Sequence, residues 1–232
     1  MSIAALIERP QKQSARTSVV VPCSHKHVHL LADLIQELGR QTRRPDEIVV
    51  ALSSREVPPL PGHIRLLHST AACTAGRNRN RGSDAATGTL LIYQDADDLP
   101  HPQRVEIIAG LFERFEIDHL MHGYIYTRGQ TWSVGHPGQP SDHRQLPVEL
   151  PPSSVDNAAQ RSSYRSEPLP TTCVSNGEVA VLRSTWHVAR WPEHAGAGED
   201  QEFNQRIFSI SQRTVTTDLP LVVYRHNYST FG

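Results

Sequence analysis

The sequence predicts an α/β fold in which helices cover both faces of a mostly parallel central sheet. Short β-branched runs alternate with segments of helical periodicity through the first half of the chain, the pattern of helices packed on a parallel sheet. The polar clusters Cys23-Ser24-His25, Ser53-Ser54 and Asp95 to Asp98 each follow an expected strand, at the carboxyl ends where open α/β sheets bind ligands. These clusters are expected to converge on one crevice.

Residues 1–16 are polar and aperiodic and are expected to form a loose arm ahead of a single domain spanning 17–232. Residues 18–21 (Ser-Val-Val-Val), closed by Pro22, read as a buried strand. Over 26–41, Val28, Leu31, Leu34, Ile35 and Leu38 recur at helical spacing, and Gly39 and Pro45 mark the end. Strands follow at 47–52 and, more weakly, at 63–67 beyond the Pro58 to Gly62 turn. A helix over 75–86 stops at Thr87-Gly88, a strong strand covers 89–94, and 105–115 is an amphipathic helix. The second half is less regular, with strands expected at 119–126, 179–182, 214–217 and 221–224 and helices at 184–189 and 199–210. Between them, 133–172 is rich in proline, glycine and serine and shows no periodicity, as an active-site lid or a disordered insert would.

Composition narrows the class of function. The 232 residues carry 23 basic and 24 acidic side chains, a net charge of −1, which excludes a bulk electrostatic attraction to nucleic acid or anionic lipid. No apolar run approaches the ~20 residues of a membrane span, and the start lacks the pattern of a secretory signal. Cys23, Cys73 and Cys173 are widely spaced without a CxxC, so free thiols and a cytoplasmic location are expected. Lysine occurs only at 12 and 26; the other basic residues are arginines, which suit bidentate phosphate contacts.

Asp95-Ala96-Asp97-Asp98 is the strongest chemical signal. In extended chain Asp95 and Asp97 point the same way, and two converging carboxylates call for a cation, Mg2+ or Mn2+ being natural partners of carboxylates and phosphate oxygens. The competing reading is a solvated acidic turn with Asp98 capping the next helix. Arg77, Arg79 and Arg81, flanked by Gly76 and Gly82, cannot share one helix face, so only one or two could reach a diphosphate; otherwise they are a solvated helix end. Glu199 and Asp200 open a helix after Gly196-Ala197-Gly198, where acidic residues are common for macrodipole reasons alone. Glu202 and Arg206 form an ordinary i,i+4 pair, and Trp186 and Trp191 read as core rather than as sugar platforms. His226 follows the last strand as a lone candidate ligand. His25, His27 and His29 lack the spacing of a zinc site.

In their order and spacing these segments resemble family 2 glycosyltransferases, inverting enzymes of GT-A fold, over roughly 17–126 and 173–228. The residues are 18–22, 41–50, Arg79-Asn80-Arg81-Gly82, Ala86-Thr87-Gly88, Asp95 to Asp98, Gly198-Glu199-Asp200 and Tyr224-Arg225-His226. The resemblance implies a nucleoside-diphosphate sugar donor, linked to UDP, GDP or dTDP, and a glycan or glycolipid acceptor in solution or at a membrane. It implies that Asp95 and Asp97 form a DxD pair around Mn2+ or Mg2+, with Asp97 the direct ligand and His226 completing the metal site. It further implies that Asp200, beside Glu199, takes the acceptor proton, and that Pro22, Ser24, Ser53, Ser54, Arg79 and Ala96 line the nucleotide-sugar site. One departure is plain: the second strand ends Leu52-Ser53-Ser54, where the family usually places the aspartate that recognises the base.

Three alternatives stand beside this reading. A nucleotidyltransferase would carry a glycine-rich basic loop after the first strand, where this chain has Pro22 to Lys26. A degenerate module that binds only nucleotide sugar or a protein partner draws on the missing aspartate. A phosphohydrolase would place its aspartate nucleophile after the first strand, not the fourth.

Overall fold

The chain is represented by a computed structural model that describes residues 5–11, 13–128, 131–136, 139–145, 152–165, 179–194 and 198–225. In chain order the elements are β1 (Thr17–Ser24), a 3-10 turn (Val28–Leu30), α1 (Leu31–Gly39), β2 (Glu47–Ser53), β3 (Arg65–Ser69), α2 (Ala75–Ala85), β4 (Leu90–Tyr93), β5 (Leu99–Pro100) and α3 (Arg104–Arg114). Then come β6 (His119–Arg128), β7 (Thr131–His136), β8 (Gln139–Gln145), α4 (Val155–Gln160), β9 (Ser162–Tyr164), β10 (Val179–Leu182), α5 (Arg183–Ala189), α6 (Glu199–Ile210) and β11 (Thr214–Arg225).

The sheet runs β3-β2-β1-β4-β10-β6-β11-β5. Its first four strands are parallel, and β10 lies antiparallel between β4 and β6. The parallel character expected from the sequence therefore belongs to the first half. Beyond β4 the sheet is mixed, with β6 and β11 parallel and β5 and β9 antiparallel on β11. Period-2 alternation divides the core. Val19, Val21, Ile48, Val50, Leu90 and Ile92 face α1 and α3, while Val20, Val49, Leu91 and Tyr93 face Trp186, Phe203 and Ile207 of α5 and α6. Both faces are covered because both sets of side chains are apolar.

Several boundaries differ from the sequence reading, each for a local reason. The helix expected from residue 26 begins at Leu31, because Ser24 folds the chain into a turn, its carbonyl accepting from His27 N (3.1 Å) and its hydroxyl from Lys26 N (3.3 Å). The two last strands are one, with register shifts on either side of Pro220, which has no N–H for the ladder. Pro22 sits in a central strand without cost. Val20 O accepts from Gln94 N, and Pro22, two residues on, points the same way past the last rung shared with β4.

The described part of the N-terminal segment is docked, not loose. Arg9 N donates to Arg114 O (2.8 Å) and Gln13 N to Glu113 O (3.3 Å), Arg9 Nε donates to the carbonyls of Phe112 and Phe115, and Ala15 is buried. The segment 133–172 contains most of the β7–β8 hairpin as well as α4 and β9; residues 137–138, 146–151 and 166–172 lie outside those described, and the expected role as a lid falls partly on them.

Helix α2 packs on the sheet with no large apolar side chain. Its buried residues are Gly76, Asn78, Arg79, Asn80, Gly82 and Ser83, and Thr74 caps it by accepting from Arg77 N (3.2 Å). The close approach depends on two glycines: a Cβ at Gly82 would sit 2.5 Å from Val20 Cγ1, and one at Gly76 would sit 1.8 Å from Pro192 O. Gly→Ala inside a helix ordinarily stabilises by about 0.5–1 kcal/mol. Gly76→Ala is expected to reverse that sign, lowering unfolding free energy by about 1–3 kcal/mol through overpacking, as urea titration would measure; a gain in stability would refute the close packing of α2 on Pro192.

Candidate active site

The carboxyl ends of β1, β2 and β4 meet beneath α2. Asn78, buried on α2, donates to Cys23 O (3.3 Å) and Ser53 Oγ (3.0 Å), and Ser53 Oγ donates to the same carbonyl (3.4 Å). The Ser53 hydroxyl is thus engaged on both sides. Ser54 accepts Glu56 N at Oγ (3.0 Å), while its backbone carbonyl meets His68 Nε2 (2.8 Å). Both serines are buried at the end of β2. Cys23 is buried and its thiol is pushed up to about 12, by burial first and then by the charge of Asp97, so it is an inert packing group.

The acidic run follows β4 as a turn, with Asp98 N donating to Asp95 O (3.3 Å). Its braces hold mainly the backbone. Buried Gln94 donates from Nε2 to the carbonyls of Asp95 (3.3 Å) and Asp98 (3.4 Å), and Arg225 at the end of β11 donates from Nε to Asp97 O (2.6 Å). Below, fully buried Arg104 donates from Nη2 to Tyr93 O (3.0 Å) and from Nε to His122 Nε2 (3.1 Å). Asp98 does not cap α3; it is fully buried, and its Oδ1 accepts from Arg225 N (3.3 Å).

With the backbone held, Asp95 and Asp97 crowd each other. Burial, then the charge of Asp95, push Asp97 up to about 6, against the opposing effects of His27 and Arg225. Asp98 is held well above the usual carboxylate range by burial and by Asp97 and Asp95. Arg79 offsets part of this charge. It is 2% exposed, and its Nη2 donates to Asp95 Oδ1 at 2.6 Å. Its Nη1 lies 3.6 Å from Glu199 Oε1, and its guanidinium lies over Trp191, 4.9 Å from the ring centroid. Trp191 stacks on Phe203 of α6 with centroids 3.7 Å apart.

Arg79 therefore joins the acidic turn to the start of α6. That helix opens at Gly198, whose φ of +98° suits glycine. Asp200 sits in its first turn with its carboxyl raised, by burial first and then by Glu199, with Arg79 opposing. A carboxylate raised in this way is a stronger base than one in water.

Residues 18–171 match the family described as glycosyl transferase family 2. The chain belongs to that family. Solved structures of S. aureus TarS share the fold. The 1–349 form aligns with a TM-score of 0.65 at 16% identity, covering 90% of this chain and 60% of that one. The same form in complex with UDP-GlcNAc aligns at 0.63 and 15% identity, with 90% and 58% covered. The longer TarS structure aligns at 0.65 and 15% identity, with 90% and 36% covered. This chain thus spans about 60% or less of the length of these structures. No curated protein matches the sequence.

Of the residues that the family resemblance singles out, Pro22 and Ser24 end β1, Ser53 and Ser54 end β2, Arg79 lies on α2, Asp95, Ala96 and Asp97 follow β4, and Glu199 and Asp200 open α6; the structure pairs Ser24 with Ser53 across the two strands and joins Arg79 to Asp95 and to Glu199. His226 lies outside the described residues. Of the three arginines on α2 only Arg79 faces the acidic turn. Arg77 is exposed, and Arg81 is turned away to Asn78 Oδ1 (2.9 Å) and Leu67 O (3.2 Å). Trp186 and Trp191 are core residues, as expected.

Three contributors escaped the sequence reading. His27, set aside with His25 and His29, places Nδ1 3.7 Å from Asp97 Oδ1. Asn80 pins the segment before α6, its Oδ1 accepting from Trp191 N (3.0 Å) and Trp186 Nε1 (3.3 Å). Arg225 braces the acidic turn from the far end of the chain. Asn80 and Arg225 stood inside segments that carry the family resemblance but were given no role; His27 had no such signal.

Ionised Asp97 costs this fold stability. With a folded pKa of about 6 against an ordinary value of 3.8, the cost is absent below the lower value and complete above the higher one. In chelator-treated protein the advantage of Asp97→Asn over the native residue is expected to be larger at pH 8 than at pH 4, by on the order of 2 kcal/mol. Thermal melts across that range test it; an advantage independent of pH would show that Asp97 is not electrostatically loaded.

Proposed function

We propose that this family 2 member transfers a sugar from a nucleoside-diphosphate sugar to an acceptor hydroxyl, with inversion at the anomeric carbon. The observation that carries the reading is Arg79, which brings the acidic turn and the Asp200 helix to one crevice. TarS has been solved in complex with UDP and with UDP-GlcNAc, which makes a UDP-linked donor the first to try here.

The donor set suits a hard divalent ion. Asp97 is raised by burial first and then by the charge of Asp95, and a cation beside it would offset both. Among the described residues no three His, Cys, Asp or Glu side chains come together as a metal cage. Asp97 and Asp95 would therefore hold Mg2+ or Mn2+ with the remaining positions left to water and phosphate oxygens, and His226 is a further donor in this reading. Such an ion supplies charge stabilisation to a leaving diphosphate.

The chain's own residues account for the rest. Asp200 removes the proton from the acceptor hydroxyl as its oxygen attacks the anomeric carbon, and Glu199 raises the basicity of Asp200. Arg79 holds Asp95 in place. Pro22, Ser24, Ser54 and Ala96 form the floor on which the nucleotide rests. The acceptor is a glycan or glycolipid hydroxyl, and 133–172 is the segment available to exclude water from the transfer.

Calorimetry with UDP, GDP and dTDP, each with and without Mn2+, tests the donor site. One nucleotide is expected to bind in a metal-dependent way, and Asp97→Ala is expected to lose it. Asp200→Asn is expected to keep nucleotide binding while transfer from the matching donor, UDP-GlcNAc first, falls by roughly 10²–10⁴, the share a general base contributes. No nucleotide binding under any condition would refute the reading in favour of a non-catalytic module.

A further inference from the structure

We propose that His27 is a nitrogen donor to the divalent ion at Asp97, and that it shifts the site's preference away from Mg2+ toward Mn2+ and Co2+. The inference rests on the metal-dependent reading above and concerns a residue which that reading leaves unassigned.

His27 is held from both sides by its backbone, donating its N–H to Ser24 O (3.1 Å) and accepting from Leu30 N (3.0 Å). Of the three histidines on this turn, His25 and His29 are exposed. The His27 side chain is 14% exposed, and its Nδ1 lies 3.7 Å from Asp97 Oδ1, itself on a side chain 13% exposed. That separation is too long for a hydrogen bond, whose usual limit is about 3.2 Å. It does suit an ion shared by both atoms. Two donors each about 2.1 Å from one ion can be no more than about 4.2 Å apart, so an ion can sit between the imidazole and the carboxylate without moving either backbone.

The choice of donor atom sets the preference. Mg2+ takes oxygen ligands and holds its waters tightly, so an imidazole nitrogen adds little to its binding. First-row transition ions gain from nitrogen donors in the order Mn2+ below Co2+. A carboxylate alone would accept all three ions, and the imidazole of His27 beside Asp97 makes them unequal. The turn that presents His27 is built by Ser24 at the end of β1, so the ion would tie β1 to the acidic turn after β4 across the mouth of the crevice.

The test uses Mn2+ with UDP as probes, at pH 8, on protein labelled with 15N-histidine. Pulsed electron paramagnetic resonance is expected to show a directly bound histidine nitrogen that persists in His226→Ala, weakened at most by the loss of a second nitrogen, and whose His27 contribution disappears in His27→Ala and in His27→Asn. The asparagine variant keeps a polar side chain on the turn, and a native thermal melt confirms its fold. Mn2+ and Co2+ affinities of both His27 variants are expected to fall by about tenfold, the low end of what even an outer-shell ligand contributes, with Mg2+ affinity nearly unchanged. If Mn2+ binds to native protein and the nitrogen signal and affinities are the same in the His27 variants, His27 is no ligand and the metal-dependent reading stands without it. Equal losses for Mg2+ and Mn2+ would also overturn the proposal, since they mark a role in the fold of the turn. Failure of native protein to bind Mn2+ with UDP would remove the metal reading and this inference together.

Discussion

Arg79 is the contact on which the arrangement of the site depends. A guanidinium with 2% exposure would be costly in an apolar interior without partners, since each buried ion carries a penalty of several kcal/mol. Here one side of it meets Asp95, the other approaches Glu199, and its flat face rests near Trp191. Removing any of these would leave a buried charge short of compensation. The acidic turn and α6 are far apart in sequence, and they are held at one place because both answer the same cation.

Helix α2 can deliver that cation only because the rest of it is small or polar. Gly82 lets the helix close on Val20 and Gly76 lets it close on Pro192, while Asn78 and Asn80 fasten it to the ends of β1 and β2 and to Trp191. The composition of α2 exchanges hydrophobic burial for the hydrogen bonds of Asn78, Asn80 and Ser83 and for one buried charge paired with Asp95.

The acidic turn shows the complementary economy. Its contacts with Gln94 and with the Arg225 guanidinium go to backbone carbonyls, so the carboxylates of Asp95 and Asp97 are positioned without being neutralised from below. The result is a turn that is rigid and electrostatically loaded at once, with Asp97 raised by burial and by its neighbour. A site in this condition gains most from a ligand that brings positive charge.

The sequence by itself determined the parallel half of the sheet, both core faces and the positions of the chemical clusters, because all of these rest on local periodicity. Val19 and Val20 alternate between faces, Leu31, Leu34, Ile35 and Leu38 recur at helical spacing, and Asp95 follows a fully apolar strand. What it left open is what depends on distant partners. Nothing near His27 in the chain announces Asp97, and nothing near Arg225 announces the acidic turn it braces. The short strands β5 and β9 exist only because β11 offers them an edge. Among Arg77, Arg79 and Arg81 the spacing alone left the choice open and only the family resemblance favoured Arg79; in the tertiary structure the rotation of α2 on its two glycines turns Arg79 alone toward Asp95. Periodicity is a local property, whereas the meeting of charges across a fold is settled only when the elements pack.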